Sequence, residues 1–213
     1  MLVKGIIPDT EPTISVGLVL PIDKQKSVYI SSNIDDKEYK IKIVKGRLMV
    51  NGEIKTQLSL EKLSNESIFN LEPITAGRGF HWQKKINISI NGSLKVMIID
   101  ENLFIVNEIG LESYLMSVAT SEMSGECPIA LLEAQTIAAR SWIIASEEQK
   151  HKDLDIDVCN DDCCQRYQGI GNITTEAITA SKKTRGKFLI YKNEICDARY
   201  SKSCGGITEN NEN

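Results

Sequence analysis

The run Val106–Arg140, VNEIGLESYLMSVATSEMSGECPIALLEAQTIAAR, decides how the chain is read: two helices joined by a Gly- and Pro-marked break, with a carboxylate at the junction. From Leu111, Leu115 and Val118 fall at the i+4 and i+7 positions that stack on one helix face. Glu122 follows on the same face, because eleven steps of about 100° return nearly to the origin. The apolar stripe therefore ends in an acid. Burial on such a face penalises the charged carboxylate and raises its pKa, which suits a general acid near neutral pH. The other reading of Glu122 is a solvated acid in a C-terminal turn, where the helix dipole also disfavours negative charge.

After Glu122 the chain breaks at Ser124-Gly125 and restarts at Pro128, a residue suited to a first helical position. The second helix, predicted from Pro128 to about Glu148, is apolar on nearly every side, as core helices are. Glu133, Gln135 and Arg140 interrupt it before any membrane-span length is reached. Glu133, Thr136 and Arg140 share one strip, read as an internal Glu133–Arg140 salt bridge or as one wall of a polar site.

Outward from this pair, Thr13 to about Asn107 reads as short antiparallel strands in a meander. ISVGLVL, KSVYISS and YKIKIV are rich in β-branched residues; Lys45-Gly46, Asn51-Gly52 and Asn91-Gly92 mark turns between later segments. Glu61–Phe69 reads as a short helix. Gly77–Trp82 reads as a turn whose aromatics close the end of a sheet, with sugar stacking as the alternative. His151–Thr175 is a polar loop, followed by a helical patch near Thr175–Lys183 and a hairpin over KFLIY and ICDARYS. The fold class is α+β: a β-rich region, 1–105, followed by a mixed α+β core, 106–213.

The chain has 213 residues, 41% hydrophobic and 25% charged, with a net charge of -4. These values are those of a globular protein with room for a real core. They give no case for nucleic acid or an anionic membrane as partner. Aromatic residues make up only 6%, which argues against a base-stacking platform.

Of the six cysteines, Cys127, Cys159, Cys163, Cys164, Cys196 and Cys204, the adjacent Cys163 and Cys164 are poorly disposed to bridge each other. His151, Cys159 and Cys163 or Cys164 cluster on the polar loop as soft metal ligands, for which zinc is the usual occupant. Ser203-Cys204-Gly205-Gly206 reads either as a reactive Cys in a Gly-rich turn or as a plain turn with φ > 0. A Cys nucleophile needs a basic partner, and only His81 and His151 are present.

Three motifs in fixed order, NEIGLESYLMSVATSEMSGECPIALLEAQTIAARSW, DVCNDDCCQRYQG and ICDARYSKSCGGITEN, resemble the stage II sporulation protein D family, which includes cell-wall amidase enhancers. The resemblance runs from about Val106 to the end. It implies a peptidoglycan lytic transglycosylase with Glu122 as the catalytic acid. It further implies a zinc of structural role held by His151, Cys159 and Cys164, with Cys163 as the alternative and Cys204 or a water completing the shell. Arg140, Gln165, Tyr167, Ser203, Gly205 and Gly206 are then expected to line the sugar groove. The implied partners are peptidoglycan glycan strands, and in the enhancer reading a cell-wall amidase. The implied location is outside the cytoplasm, although the opening MLVKGIIPDTEPTISVGLVLP lacks a signal-peptide h-region. Family members continue past the Gly-Gly motif, so the end of this chain reads as a fragment or a short variant.

Overall fold

The computed structural model describes residues 6–33, 36–64, 66–146, 148, 150–201, 203 and 205–207. The fold is α+β, with two antiparallel-rich sheets, a short hairpin and three α-helices among the described residues. One sheet is built from β1 (Thr13–Val19), β6 (Leu58–Leu60), β9 (Ser93–Ile99), β10 (Asn102–Gly110) and β11 (Val158–Cys159), in the order β11-β1-β10-β9-β6. The other uses β2 (Ser27–Ser32), β3 (Glu38–Val44), β4 (Arg47–Val50), β5 (Glu53–Lys55), β7 (Phe69–Ala76) and β8 (Lys84–Ile90), in the order β5-β4-β3-β2-β7-β8.

Alternation does what the sequence led one to expect. In β2, Val28 and Ile30 point inward while Ser27 is exposed, the half-buried pattern of a sheet with one wet face. Asn51 and Gly52 both take positive φ, as a tight hairpin turn requires. The strands are not a simple meander, however. β1 pairs with β10, β2 with β7 and β6 with β9. The expected boundary at 105/106 falls inside β10, and β1 lies between β10 and β11. Side chains from both sheets and both long helices form one apolar cluster, from Ile14 through Leu71 and Leu103 to Leu115 and Ile144.

One further expectation for the β-rich half is corrected. Glu61–Phe69 is not helical, because the Ser67 hydroxyl accepts the Leu63 and Ser64 N–H groups (3.2 and 2.8 Å) and holds a turn, after which Phe69 opens β7. Such local side-chain bonds compete with helix formation. β7 itself escaped the strand pattern because Pro73 interrupts it. Pro73 brings no N–H, and the β7–β8 register shifts between Leu71 and Ile74 at that point.

Helix α1 (Leu111–Met123) follows β10 directly. Its first N–H groups are satisfied by the N-terminal segment: Leu111 N–H donates to the Pro12 carbonyl (3.0 Å) and Glu112 N–H to Glu11 Oε1 (3.1 Å). Leu111, Leu115 and Val118 are buried as the stripe demanded. Helix α2 (Ile129–Ala145) takes Pro128 as N-cap and ends three residues before Glu148. Its buried face carries Gln135, Thr136, Arg140 and Ser141 as well as aliphatics, whereas Ile129 and Leu131 are exposed. The expected Glu133–Arg140 bridge is replaced by two others. Arg140 forks onto Glu112 of α1 (Nε–Oε1 2.9 Å, Nη2–Oε2 2.6 Å), and Glu133 pairs with Lys183 (3.2 Å). Lys183 lies on α3 (Thr175–Thr184), which packs on both helices. The hairpin β12 (Ile190–Tyr191) and β13 (Glu194–Ile195) follows. No helix among the described residues is long and apolar enough to cross a membrane.

A buried polar clamp ties the cysteine loop to the β-rich half. Asp161 accepts the backbone N–H groups of Gly77 (2.8 Å) and Arg78 (2.7 Å). The Arg78 guanidinium reaches Asp23 (2.7 and 2.8 Å), Asp161 (3.2 Å), the Asn160 side chain and the Leu18 carbonyl (2.9 Å). Only 2% of the Asp23 side chain and 3% of the Asp161 side chain meet solvent. Removing one partner of a buried pair leaves uncompensated charge and costs about 3–5 kcal/mol. Arg78→Leu is therefore expected to lower unfolding free energy by an amount in that range, read from urea denaturation. A change under 1 kcal/mol would show that the clamp behaves as a solvated pair.

A second buried network stacks Tyr114 on Tyr167 (ring centroids 5.4 Å apart) and passes the Tyr167 hydroxyl to Asn107 Oδ1 (2.9 Å). Tyr167→Phe keeps the stack and strands the Asn107 acceptor. The expected loss is about 1–3 kcal/mol, with Asn107→Leu in the same background recovering part of it.

Candidate functional site

Glu122 sits in the last turn of α1, half-buried, where the chain leaves the helix at Ser124. Its Oε1 accepts the backbone N–H of Arg166 (2.8 Å). The carboxylate opens on a cleft of about 420 Å³ lined also by Trp142 of α2, Asp162, Cys163, Cys164 and Arg166 of the cysteine loop, Glu148, Lys150, and Arg199 to Ser201. A larger hollow of about 970 Å³ lies over the outer face of β2, β3 and β7, remote in sequence from these groups. Size alone does not locate the chemistry, and the smaller cleft is the one with converging polar groups.

The cleft is charged and internally paired. Asp162 Oδ1 accepts from Arg166 Nη2 (2.7 Å) and Nε (3.1 Å). Glu148 lies 2.8 Å from Lys150 Nζ and 3.1 Å from Arg199 Nη1. The hydrogen bond from Lys150, with its charge, holds the Glu148 carboxyl below its usual value, and the same bond raises Lys150. Burial pushes the Tyr200 hydroxyl far up, so it stays protonated at the cleft wall.

Beside the cleft, His151, Cys159, Cys163 and Cys164 bring one ligand atom each within 4.8 Å of one another. Cys159 Sγ lies 3.2 Å from Cys163 Sγ and 3.7 Å from Cys164 Sγ, and Cys163 Sγ lies 3.8 Å from His151 Nε2. A tetrahedral site with metal–sulfur bonds near 2.3 Å has ligand–ligand edges of about 3.8 Å. The four side chains fit a metal ion in number, softness and spacing. Hydrogen bonds from Cys159, Cys164 and His151 pull the Cys163 thiol far down, while its bond to Cys163 lifts His151 to about 9 and Cys159 is pushed far up. This is a thiolate–imidazolium arrangement ready to exchange its protons for a cation. Both adjacent cysteines, Cys163 and Cys164, belong to the group that could hold a metal ion. Cys204 lies outside the described residues.

The residues expected in a sugar groove divide. Arg140 has no exposed surface, and its guanidinium is consumed by Glu112, with the Lys187 carbonyl at 3.2 Å. Gln165 is 1% exposed and donates to the Ala139 carbonyl (3.1 Å) while accepting the Tyr114 hydroxyl (3.1 Å). Tyr167 is wholly buried, and burial drives its pKa upward. In place of groove contacts, these three knit α1, α2 and the cysteine loop together, because each found an internal partner for its polar end. Ser203, Gly205 and Gly206 are exposed, and both glycines take positive φ with open space around them, as turn residues do. Tyr200 and Ser201 line the cleft from that segment instead.

Sequence reading missed the groups that surround Glu122. Trp142 was counted as core on an apolar helix. Arg166 acts through its backbone N–H, which no side-chain pattern reveals. Arg78, Asp23 and Asp161 lie far apart in the sequence, so no local pattern joins them.

A family model described as stage II sporulation protein (SpoIID) matches residues 100–191, the stretch that carries Glu122, the four soft ligands and all three helices. An uncharacterized protein of Brachyspira hyodysenteriae (strain ATCC 49526 / WA1) is similar, with 31% identity over 126 residues, 59% of this chain. The chain spans 34% of the length of that curated relative. Over residues 100–191, the chain is similar to the stage II sporulation protein (SpoIID) family.

Proposed function

We propose that the protein is a peptidoglycan lytic transglycosylase working outside the cytoplasm, with Glu122 as its sole acid/base. The observation that carries this reading is the Glu122 carboxylate, oriented by the Arg166 N–H at the rim of a polar cleft. Glycoside hydrolases generally need two working carboxylates. Here the other acids of the cleft, Asp162 and Glu148, are each engaged by a cation. A one-carboxylate reaction suits that arrangement. Protonated Glu122 gives its proton to the oxygen bridging N-acetylmuramic acid to N-acetylglucosamine, and the bond from that oxygen to the muramyl C1 breaks. The resulting carboxylate takes the proton of the muramyl 6-hydroxyl as its oxygen bonds to C1, closing a 1,6-anhydro ring. The proton lost in the first half returns in the second, so neither water nor a redox cofactor is consumed.

His151, Cys159, Cys163 and Cys164 would hold zinc, which with four protein ligands supplies a structural cross-link. Cys164 is two residues from Arg166, so the cross-link stiffens the peptide that orients Glu122.

Mass spectrometry of glycan strands incubated with the protein is expected to find anhydro-muramyl ends. Glu122→Gln keeps shape and hydrogen bonding but cannot exchange the proton, and is expected to lose about 10²–10⁴ in rate with folding intact. The Gln variants of Glu108, Glu126 and Glu133 serve as controls and retain activity. Anhydro products at a near wild-type rate from Glu122→Gln would remove it from the mechanism. If the wild type makes none but stimulates a cell-wall amidase, the protein is an enhancer.

Elemental analysis of protein purified without added metal is expected to give near-stoichiometric zinc. Cys159→Ser should lose it and melt lower. Binding should weaken as pH falls, because protons compete for the thiolates and the imidazole. A Cys159 disulfide in the native protein would sink the metal assignment.

A further inference from the structure

The β7–β8 loop holds an aromatic pair that the reaction above does not use. Phe80 is 46% exposed and stacks on Trp82, with ring centroids 5.6 Å apart and planes 19° from parallel. Solvent-exposed aromatic rings on a loop tip are ordinarily free to move, but these are fixed from beneath. Phe80 N–H donates to the Gly77 carbonyl and Gln83 N–H to the Phe80 carbonyl, each 3.0 Å, while Gly79 N–H donates to Gln83 Oε1 (3.0 Å). The Trp82 indole lies flush on Gly77, where an added Cβ would come within 2.4 Å of the ring. Gly77 and Arg78 are in turn anchored to buried Asp161.

The same loop touches the cleft. The Arg166 guanidinium sits 4.7 Å from the Trp82 ring centroid, a cation–π contact. Arg166 also lines the cleft and orients Glu122 through its N–H. One residue therefore joins the aromatic pair, through its side chain, to the candidate acid, through its backbone. A rigid, exposed ring beside a saccharide cleft presents a flat apolar face to the C–H face of a pyranose, contact that needs no reordering on binding.

We propose that Phe80, backed by Trp82, is an outlying sugar subsite that stacks an N-acetylhexosamine ring of the glycan strand beyond those held next to Glu122. This inference rests on the glycan reading of the Glu122 cleft. It makes chain length the specificity determinant: short glycans fill only the cleft, and longer ones reach the platform.

The test is calorimetric binding of the chitin trisaccharide and hexasaccharide to the full chain, with Phe80→Ala and Phe80→Trp variants. Phe80→Ala is expected to weaken hexasaccharide binding about fivefold to tenfold, the effect of losing on the order of 50 Å² of apolar contact. Trisaccharide affinity and melting temperature should hold, since the ring is exposed, and Phe80→Trp should restore the hexasaccharide. Unchanged hexasaccharide affinity in Phe80→Ala, or equal losses for both saccharides, overturns the subsite and leaves the cleft reading standing. If the wild type binds neither saccharide, the glycan reading falls, and the subsite with it.

Discussion

The carboxylate of Asp161 is the constraint on which the candidate site depends. It lies in the cysteine loop, yet it is satisfied almost wholly by the β7–β8 loop, through two backbone N–H groups and the Arg78 guanidinium. Buried carboxylates are tolerated only when paired and hydrogen-bonded, so the cysteine loop cannot shift without exposing or stranding this one. Everything the loop carries inherits that fixity. Cys159 precedes Asp161 in the parallel strand β11, Cys163 and Cys164 follow it, and Arg166 comes next with the N–H that orients Glu122. A polar interaction between halves distant in sequence thus decides where the acid points.

A layer of polar bonds behind Glu122 does the corresponding work for the helices. Arg140 joins α2 to α1 through Glu112, whose Oε2 also accepts the Ser181 hydroxyl of α3 (3.0 Å). Gln165 joins the loop to α2, and the Tyr114–Tyr167 stack joins it to α1. Such networks cost stability unless every member is satisfied, but when complete they select one arrangement over near alternatives. The helix pair is therefore held in a specific rotation about its axes, which aliphatic packing alone would set loosely.

How much of this was readable in the chain follows from the range of each signal. The Leu111–Leu115–Val118 stripe fixed α1, and with it the place of Glu122 at the stripe's end, because helical periodicity is a local property. Thr175–Lys183 was likewise close to α3, and the soft ligands could be grouped because they fall within fourteen positions of one another on a loop. Partnerships over longer spans were not readable. Arg140 meets Glu112, 28 positions away, and Arg78 meets Asp161, 83 positions away. The groove expectation for Arg140, Gln165 and Tyr167 foundered on the same limit. A long side chain with a polar tip can face a ligand or an internal acceptor, and only the fold supplies the acceptor.

The position of β1 bears on what counts as a unit in this protein. Residues 100–191 form the span that the family model matches, but they contain neither β1 nor β9, the two strands that flank β10. Cut out alone, that span would leave both edges of β10 bare beside an uncovered apolar surface, where Ile14, Val16 and Leu18 now lie, a template for pairing with other chains. It would also give up the β1–β11 pairing and the bonds from Ser15 to Asp157, made across 142 positions. Contacts of such separation carry a large loop-closure entropy. The segment that the family model matches is therefore smaller than the segment that completes this sheet, and the cysteine loop is held in its observed shape by the N-terminal strand.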